Sequence, residues 1–453
     1  MIKVIYTSSK KRKSTNKVWT ISGEEGLPIV YLTNTFLKKY NIKSRFIFIK
    51  FGSWLQKFSV YIDNSLSENE IGLIKNNHSF NIPGNLFLNL KVERDVLHIG
   101  PYIGLIVKKK MERLSVDTLN HYKMLYRLHE MKGYHIIFCC IDSIDLMNKE
   151  ITGFYCMPNE KENTSRWVKG TFPFPDCVFK KIRIPEKIEL ELRKSTDERL
   201  FNTNFFTKFE FWEACSKHKE VRSILPETKR FRLIGDLREM LYKFGTVYLK
   251  PAKGMQGNGI FVIKEEQDGI SIINKRKDKK TFPSLFEVME ELKKILPNKI
   301  YLLQQGIPSV YRNKHFDFRL YFQKDAQKNW VCQGTIGRVA QENSIVTNLD
   351  HLAHIATGEK ALQIIYKVDD EQARRIINRT IKACKAICQI LDYNLGHFGD
   401  IALDVIIDQD FKPWVLEVNN LYGKKSLYIM KNEELISTLY KTPLTYAAAL
   451  SGF

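Results

Sequence analysis

The sequence predicts a chain of mixed α and β structure with a β-rich N-terminal domain, a small α/β domain and a larger α+β domain. At 453 residues, the chain is longer than one hydrophobic core usually serves. Short β-branched and apolar runs, broken by Gly, Pro and Asn, dominate residues 1–112. Helical spacing of apolar residues begins in 113–200, and helices alternate with strands through 201–453. These three ranges are the predicted domains.

Composition indicates a folded protein of an aqueous compartment. Hydrophobic residues make up 44% of the chain and aromatic residues 12%, which is ample for a packed core. No apolar run approaches the ~20 residues of a membrane-spanning helix. The N-terminus, MIKVIYTSSKKRK, is basic but lacks the apolar segment of a signal peptide. We therefore expect a cytoplasmic protein without a membrane span.

The eight cysteines show no CxxC pairs and no histidines at metal-ligand spacing. Cys384 and Cys388 lie one helical turn apart, a spacing that a metal site or a redox pair could use. The alternative, which composition favours, is that the cysteines are small buried hydrophobic residues in a reducing compartment.

The formal net charge is +21, and lysine clusters occur at 10–13, 108–110 and 275–280. Such clusters could attract nucleic acid, a membrane surface or an acidic substrate. Lysine is frequent throughout the chain, however, and no basic segment alternates with aromatic residues as a base-stacking surface would. General background charge or an anionic substrate is favoured over dedicated binding of nucleic acid, which stays an alternative.

Several elements can be placed from local patterns. NHYKMLYRLHEMKGY (120–134) has helical spacing and ends near Gly133, and HIIFCCI (135–141) follows as a buried strand. In the third domain, Thr207 is a candidate N-cap. Helices are predicted at 236–244, 284–296 and 372–391. YLLQQGI, FDFRLYFQ, WVCQGTIGRVA, DIALDVIID and PWVLEVN are predicted strands.

The segment GTVYLKPAKGMQGNGIFVIKEE (245–266) places glycines between two alternating apolar runs. It lacks the GK[ST] of a P-loop, and its GxxGxG spacing differs from the GxGxxG of a dinucleotide fold. It also lacks the accompanying motifs of protein kinases. What remains is a β-hairpin whose tip, with Gly254, Gly257 and Gly259, could cover phosphates while Lys250 reaches in from the strand. The alternative is a hairpin tip that merely happens to be glycine-rich.

A pair of carboxylates near the C-terminus predicts a cation site. A four-residue turn in DVIIDQDFKPWVLEVN would place Asp408 opposite Pro413 and Asp404 opposite Glu417. Asn419 would share the face of Glu417, because side chains alternate along a strand. Like charges paired across strands are destabilising unless a cation lies between them. Two carboxylates and an amide oxygen suit Mg²⁺ carrying a nucleotide's phosphates. The alternative is an exposed edge with charges facing water.

FDFRLYFQ supplies a polar strand face on which Asp317 and Arg319 lie, with phenylalanines on the opposite face. An arginine held there can form a forked pair with a phosphate or carboxylate. Arg338, in TIGRVA, could join it, although the turn leaves the strand register ambiguous by one residue. The alternative for Arg319 is a structural salt bridge with Asp317 or Glu417.

With Lys-Pro before a glycine hairpin, a DFR strand and a closing LEVN, the chain resembles the ATP-grasp superfamily. It is most similar to the endospore coat-associated ATP-grasp family known as YheC/YheD. LHIGPYIGLIV, FPFPDCVFKKI, FNTNFFTKFEFW, LPETKRF, YLKPAKGMQGNGI, QQGI, DFRLYFQK, GRVA and LEVN stand in the expected order. The similarity covers most of the chain from about residue 95.

The resemblance implies a role for each matching residue. Lys208 and Lys250 would contact phosphates under the glycine loop. The Gln305 carbonyl and the Ile307 N–H would read the adenine edge. Nucleotide binding is implied for Lys208, Lys250, Gly254, Gly257, Gly259, Gln305, Ile307 and Asp317, catalysis for Lys250, Arg319 and Arg338, and binding of two magnesium ions for Asp404, Glu417 and Asn419.

The resemblance also implies a fold and a reaction. Two α+β lobes, about 201–303 and 306–453, would clamp ATP, preceded by an α/β pre-ATP-grasp domain. The implied activity is ATP- and Mg²⁺-dependent joining of a carboxylate to an amine (or a thiol) through an acyl phosphate. The basic surface hints at an acidic peptide or protein as the carboxylate partner, and the family name points to a spore-coat context.

Two segments depart from the family pattern. EVNNLYGKKSL replaces the usual Ser-Lys-Pro ending, and TNLDHLAHIATGE lacks an expected glycine pair. Both lie where the acceptor should bind, so substrate identity is left open. Three alternatives to a ligase also stay open: an ATP-binding coat component without turnover, a polyanion-binding protein, and phosphoryl transfer to a hydroxyl.

Overall fold

The computed structural model describes residues 1–7, 26–74, 82–84, 86–122, 125, 132–159, 164–254, 257–296, 299–342 and 352–453. These residues form two compact units. The first contains 1–203, 325–328 and 440–453, and the second contains 204–324 and 329–439. The three-domain division stays a prediction. No helix in the described ranges is long and apolar enough to cross a membrane.

The first unit begins with a closed barrel of seven strands in the order β1-β5-β2-β4-β3-β7-β6. Side chains alternate between the interior of the barrel and its surface. In the strand FIFIKF, for example, Ile47, Ile49 and Phe51 are buried, whereas Phe48 is exposed. The elements are β1 (Ile2–Thr7), β2 (Ile29–Leu32), α1 (Asn34–Lys39), β3 (Phe46–Phe51), β4 (Trp54–Ile62), β5 (Glu70–Ile74), β6 (Phe87–Glu93) and β7 (Val96–Gly100). The β-rich character predicted for this region is confirmed.

A second sheet of the same unit has the order β11-β10-β9-β8-β12-β13. Its elements are β8 (Tyr102–Lys108), α2 (Val116–Asn120), β9 (His135–Asp145), β10 (Glu150–Asn159), β11 (Thr164–Pro173), β12 (Cys177–Lys180), α3 (Glu186–Ser195) and β13 (Leu200–Phe201). β8 is apolar and buried on both faces, as its parallel neighbours β9 and β12 require. The strand predicted at HIIFCCI is confirmed.

The helix predicted at 120–134 lies mostly outside the described residues. Gly133 itself is described, and its φ of +64° is the left-handed conformation expected of a C-terminal glycine. Seven of the eight cysteines are buried, as the interpretation favoured by composition expects, and Cys332 is partly exposed. The Cys388 thiol donates to the Cys384 carbonyl at 3.2 Å, so this pair is part of a packed helix.

The second unit contains two sheets. The first has the order β14-β19-β15-β16-β17-β18. Its elements are α4 (Lys208–Ser216), α5 (Lys219–Arg222), β14 (Thr228–Arg230), α6 (Ile234–Phe244), β15 (Thr246–Pro251), β16 (Phe261–Glu266), β17 (Gly269–Ile273), β18 (Lys279–Phe282), α7 (Leu285–Ile295) and β19 (Tyr301–Gln305). Val247 and Leu249 of β15 pack into the core with α6 and α7, which leaves Tyr248 and Lys250 on the other face.

The other sheet of this unit has the order β23-β22-β21-β24-β25, with β20 beside β21. Its elements are β20 (Val310–Tyr311), β21 (Lys314–Lys324), β22 (Trp330–Ala340), β23 (Leu352–Thr357), α8 (Gly358–Tyr366), α9 (Asp370–Asn394), β24 (Asp400–Ile407), β25 (Pro413–Asn419) and α10 (Lys425–Ile429). The last helix, α11 (Glu433–Leu450), begins in this unit, and its residues from Tyr440 onward belong to the first unit. Phe318 and Phe322 pack against α9, so Arg319 lies on the opposite face.

The helix boundaries follow the local signals. Thr207 caps α4 in a capping box with Glu210, and Ser284 caps α7, as predicted for the helix at 284–296. The helix predicted at 372–391 is confirmed as α9, whose N-cap is Asp369. The hairpin predicted at 245–266 is confirmed, since β15 and β16 pair antiparallel with Leu249 opposite Phe261.

Candidate functional site

A cleft of about 450 Å³ lies between the two sheets of the second unit. It is lined by Lys208 of α4 and Lys250 of β15, and by Arg319 and Arg338 of the second sheet. Among the residues predicted for the site, those that line the cleft are Lys208, Lys250, Gly254, Gly257, Gln305, Ile307, Asp317, Arg319, Arg338, Asp404, Glu417 and Asn419. Gly259 is not among the lining residues. The predicted site residues, which are up to 211 positions apart in sequence (Lys208 to Asn419), therefore line the same cleft.

The glycine hairpin covers one end of the cleft. Gly257 and Gly259 have φ angles of +68° and +75°, a left-handed conformation that L side chains rarely adopt. A Cβ on Gly259 would lie 3.1 Å from the Tyr301 hydroxyl and 3.2 Å from Pro251 Cγ. The turn therefore has little room for a side chain at Gly259, and Gly257 forms part of the lining surface.

Lys208 ties the glycine loop to the carboxylate side of the cleft. Its ammonium lies 3.0 Å from Glu417 Oε2 and donates to the Gly254 carbonyl at 3.2 Å. The side chain stands at the first position of α4, which the Thr207 capping box fixes. A lysine held in this way can exchange the Glu417 contact for a phosphate oxygen.

Lys250 is held by an amide instead of a carboxylate. Its Nζ donates to Gln304 Oε1 at 2.6 Å. The Gln304 amide nitrogen donates to Thr228 Oγ1 at 3.2 Å and to the Leu416 carbonyl at 3.5 Å, so the amide orientation is fixed. Burial lowers the pKa of Lys250 to about 8, although the Glu417 carboxylate opposes this shift. Lys250 is thus charged near neutral pH, and no carboxylate in the described part of the chain forms an ion pair with it.

The two arginines form a network with two aspartates. Arg319 donates from Nε and Nη2 to the two oxygens of Asp404, both at 2.7 Å. Arg338 makes the same forked contact with Asp317, at 2.7 and 2.5 Å, and its Nη2 lies 3.2 Å from Asp404 Oδ1. Asp317 faces Arg338 across β21 and β22, which settles the register left open by the sequence. The structure pairs Arg319 with Asp404 and not with Asp317 or Glu417, the two partners considered from sequence.

This network sets the charges at the cleft floor. Burial alone would raise the pKa of Asp404, but the Arg319 and Arg338 guanidiniums outweigh it and hold that pKa well below its usual range. Burial would lower the pKa of Arg338, yet Asp317 and Asp404 raise it above the ordinary value. Asp404, Arg319 and Arg338 are therefore charged at physiological pH.

A β-bulge places the predicted carboxylate pair. Asp404 does lie opposite Glu417, as predicted, but the predicted Asp408–Pro413 pairing is wrong because Ile407 faces Pro413. The register shifts by one residue between Asp404 and Val405, where Leu416 is the extra residue. The turn is one residue longer than expected, which alone would shift the pairing by one residue. The bulge at Leu416 shifts it back, so Asp404 and Glu417 still lie opposite each other.

The side chains of Asp404, Glu417 and Asn419, the predicted cation ligands, lie close together. Asn419 Nδ2 lies 3.2 Å from Asp404 Oδ2 and 3.4 Å from Glu417 Oε1. Among the described residues no cluster of three His, Cys, Asp or Glu side chains could hold a metal ion. Two carboxylates with one amide nevertheless fit Mg²⁺, because reversal of the Asn419 amide exchanges its nitrogen for an oxygen ligand.

Other residues that line the cleft are uncharged. They include Tyr248, Ile260, Ile307, Leu416 and Gln305. His315 also lines the cleft, with Nδ1 3.5 Å from the Ser309 hydroxyl. Burial, with Lys277 nearby, lowers the pKa of His315 to about 4, so this ring is neutral at physiological pH. An apolar slot with neutral polar groups suits a nucleobase and ribose.

Sequence reasoning missed several lining residues. Gln304, His315 and Tyr248 were not singled out. Strand alternation could have found Tyr248, because it shares the face of Lys250 two residues away. The same alternation could have found His315, which shares a strand face with Asp317 and Arg319. Gln304 carries no comparable signal, since only the pairing of distant strands brings it beside Lys250.

One of the two departures from the family pattern contributes to the cleft. Tyr422, Gly423 and Lys425 of EVNNLYGKKSL line it. The Tyr422 hydroxyl donates to Asp400, which fixes the segment against β24. The first part of TNLDHLAHIATGE lies outside the described residues.

Comparison with known proteins agrees with this description of the fold and the cleft. The fold and the cleft define an ATP-grasp protein, and the family model "YheC/D like ATP-grasp" matches residues 197–450. The chain therefore belongs to the YheC/D-like ATP-grasp family. It is 25% identical over 392 residues to the endospore coat-associated protein YheD of Bacillus subtilis (strain 168), covering 83% of this chain and 84% of that one. It is 25% identical over 293 residues to YheC of the same organism, covering 62% and 79%.

Solved structures with a similar arrangement are more distant. VanG D-Ala:D-Ser ligase from Enterococcus faecalis aligns with a TM-score of 0.44 and 12% identity, over 77% of this chain and 99% of that one. D-alanine–D-alanine ligase from Bacillus anthracis, complexed with ATP, aligns with a TM-score of 0.43 and 12% identity, over 77% and 98%.

Proposed function

We propose that the chain is an ATP-dependent ligase that joins a carboxylate to an amine through an acyl phosphate. The observation that carries this proposal is the meeting of two lysines, two arginines and a carboxylate–amide set in one cleft closed by a glycine hairpin. Such a cleft offers cations to a triphosphate at one end and a separate pair of arginines to a second anion. Membership of the ATP-grasp family supports ATP as the nucleotide.

In the proposed first step, an oxygen of the substrate carboxylate attacks the γ-phosphorus of ATP. The bond from that phosphorus to the β–γ bridging oxygen breaks, and its electron pair leaves with ADP. In the second step an amine nitrogen attacks the acyl carbon, phosphate leaves with the carbon–oxygen electron pair, and the nitrogen loses a proton. The protein forms no covalent bond, so its contribution is positioning and charge stabilisation.

Each part of the cleft has a proposed task. Lys250 and Lys208 would stabilise the negative charge on the transferred phosphoryl group. Arg319 and Arg338 would orient the substrate carboxylate by forked hydrogen bonds, in exchange for part of their contact with the aspartates. The hairpin at Gly257 would exclude water, which otherwise hydrolyses an acyl phosphate.

Asp404, Glu417 and Asn419 would hold the divalent cation, proposed as a pair of Mg²⁺ ions. Bound there, the cations would neutralise phosphate charge and align the nucleotide. Asp404 keeps its charge at physiological pH because two guanidiniums lie against it. Glu417 is more exposed than Asp404, and its ion-pair partner is the ammonium of Lys208.

Charge and family membership also support proposals about the substrate and the cellular location. The net charge of +21 favours an acidic peptide or protein as carboxylate donor. The name of the Bacillus relatives supports an association with the endospore coat, and eight free thiols fit a reducing, cytoplasmic site of synthesis. That name also supports a second candidate, a coat-associated protein that binds ATP without turnover.

Trapping the intermediate tests the proposal. The protein is incubated with ATP, Mg²⁺, hydroxylamine and a panel of amino acids, acidic dipeptides and polyglutamate. A ligase produces ADP and a hydroxamate, because hydroxylamine captures the acyl phosphate. ADP with a phosphorylated hydroxyl product would indicate a kinase instead, and nucleotide binding without ADP would leave the coat-associated candidate. Glu417→Gln serves as the inactive control.

A further inference from the structure

Lys425 is the exposed member of a pair of adjacent lysines that follows the cation-site strand β25. Its chain neighbours Lys424 and Ser426 are 8% and 1% exposed, and Leu427 is fully buried. The Leu427 N–H donates to the Lys424 carbonyl at 2.9 Å, which closes a turn around Lys425. Lys425 itself is exposed and lines the cleft. Of the two adjacent lysines, this packing therefore presents Lys425 to the cleft.

Tyr422 fixes the segment that carries Lys425 to the strand that carries Arg319. The rings of Tyr422 and Tyr321 are in contact, with centroids 5.3 Å apart. Tyr321 follows Arg319 by two residues on the same face of β21. Burial raises the pKa of Tyr321 to about 12, and the nearby Arg319 guanidinium opposes this shift. The Tyr422 hydroxyl also donates to Asp400 of β24, so the segment is held against the arginine strand and its neighbour.

Lys425 differs from the other cations that line the cleft. In the part of the chain that the structure describes, no carboxylate forms an ion pair with Lys425 and no group accepts a hydrogen bond from its ammonium. In the proposed reaction the other lysines serve the phosphates and the arginines serve the reacting carboxylate, so Lys425 is left for a further anion. Each of those other cations has a partner: Lys208 with Glu417, Lys250 with Gln304, Arg319 with Asp404 and Arg338 with Asp317.

The segment before Lys425 leaves space for a ligand. Gly423 also lines the cleft, and apart from its chain neighbours no heavy atom lies within 4 Å of the position that a Cβ would occupy there. Leu421 lines the cleft as well and is 40% exposed. A substrate group at this part of the cleft would therefore meet open space, an apolar side chain and an ammonium.

We propose that Lys425 is a specificity-determining residue that binds a second substrate carboxylate, one that the reaction does not consume. This inference rests on the proposed function, because it concerns the substrates of that reaction. The carboxylate belongs either to the donor, beside its reacting carboxylate, or to an amino acid that serves as the amine. An ammonium at a fixed place, with no protein carboxylate to neutralise it, selects substrates that carry this group over those that lack it.

Calorimetric binding of two dipeptides, with Mg²⁺ and a non-hydrolysable ATP analogue present, tests the proposal. Glutamyl-glutamate carries side-chain carboxylates, which glutaminyl-glutamine replaces by amides of the same shape. We expect the wild type to prefer glutamyl-glutamate and Lys425→Gln to bind it about tenfold more weakly, as for one lost hydrogen bond to a charged group. Lys425→Arg should restore most of the affinity. The control Lys431→Gln removes an exposed lysine just after α10, outside the cleft lining, and should bind as the wild type does.

Turnover identifies which substrate carries the second carboxylate. If the donor carries it, Lys425→Gln should raise the KM for glutamyl-glutamate in the hydroxamate assay, with a smaller change in kcat. If the amine carries it, the variant should raise the KM for alanine as acceptor more than the KM for alaninamide, which lacks the carboxylate. Either result supports the assignment, and the absence of both changes would overturn it.

Several binding results would also overturn the role of Lys425. These are equal affinity of the wild type and Lys425→Gln for glutamyl-glutamate, no binding of this dipeptide by the wild type, and equal loss in Lys425→Gln and Lys431→Gln. Weaker binding of the ATP analogue alone would show that Lys425 serves the nucleotide. Dipeptide binding that depends on Lys425, without hydroxamate formation, would support the assignment and contradict the ligase. Hydroxamate formation by a protein whose dipeptide binding does not depend on Lys425 would do the reverse.

Discussion

Replacing Gln304 by glutamate tests how the cleft keeps Lys250 available for a phosphate. The substitution preserves the shape of the side chain but places a carboxylate where an amide oxygen now accepts from Lys250 Nζ at 2.6 Å. It also removes the amide donors to Thr228 and Leu416. A carboxylate in contact with Lys250 raises the pKa of the lysine and competes with the phosphate for its charge.

The magnitude follows from the pKa of Lys250, which burial lowers from 10.5 to about 8. Above pH 8 the lysine of the free protein is neutral, so it must take up a proton to contact a phosphate. Between pH 7 and 9 the protonated fraction falls about tenfold, which weakens nucleotide binding by ~1.4 kcal/mol. At pH 9 the wild type should therefore take up about 0.9 proton on binding, and at pH 7 about 0.1.

Titration calorimetry of Mg²⁺ and the ATP analogue, in buffers of different ionisation enthalpy, counts these protons. We expect the Gln304→Glu variant to bind more weakly at pH 7 and to show almost no proton uptake at pH 9. Gln267→Glu, in the exposed turn between β16 and β17, adds the same charge outside the cleft and should behave as the wild type. Equal proton uptake in the wild type and in Gln304→Glu would refute the proposed role of Gln304.

Three further predictions concern the cleft. Glu417→Gln should abolish the Mg²⁺-dependent part of nucleotide stabilisation and leave the fold intact, as thermal unfolding with and without Mg²⁺ will show; an unchanged Mg²⁺ effect would remove Glu417 from the cation site. Arg338→Met should lower the free energy of unfolding by ~3–5 kcal/mol in urea titrations, because buried Asp317 loses its forked contact with Arg338. A loss below ~1 kcal/mol would contradict this. Gly259→Ala should weaken nucleotide binding, because a side chain at its positive φ adds strain of ~1–2 kcal/mol to the loop. Gly254→Ala is the control, since its methyl group has room and binding should hardly change. Equal effects of the two substitutions would argue against a conformational requirement for glycine at 259.

Much of the fold could be predicted because local signals and tertiary structure agree. Thr207 and Ser284 cap the helices that they were expected to cap or begin. The alternation in TVYLKP and FDFRLYFQ placed Lys250 and Arg319 opposite the apolar faces of their strands, which is where the structure has them. Each of these inferences needs only the period of a strand or the chemistry of a helix end.

The remainder depends on contacts between strands that are distant in sequence. Asp404 was expected beside a cation, but nothing local shows that Arg319 and Arg338 both lie against it. The bulge at Leu416 is equally invisible, since WVLEV reads as a regular strand. Gln304 orients Lys250 only because β19 lies next to β15. Pairwise register, and not residue type, decides these features.

Thermal unfolding with Mg²⁺ and a non-hydrolysable ATP analogue tests the central claim, that this cleft binds the nucleotide through Lys250. Wild type, Lys250→Ala and Lys253→Ala are compared, the last removing an exposed lysine from the same loop. With the analogue ~100-fold above its dissociation constant, the wild type should gain about 2.7 kcal/mol of stability that depends on Mg²⁺. The account predicts that Lys253→Ala keeps this gain and Lys250→Ala loses most of it. An equal gain in all three proteins, or no gain in the wild type, would contradict it.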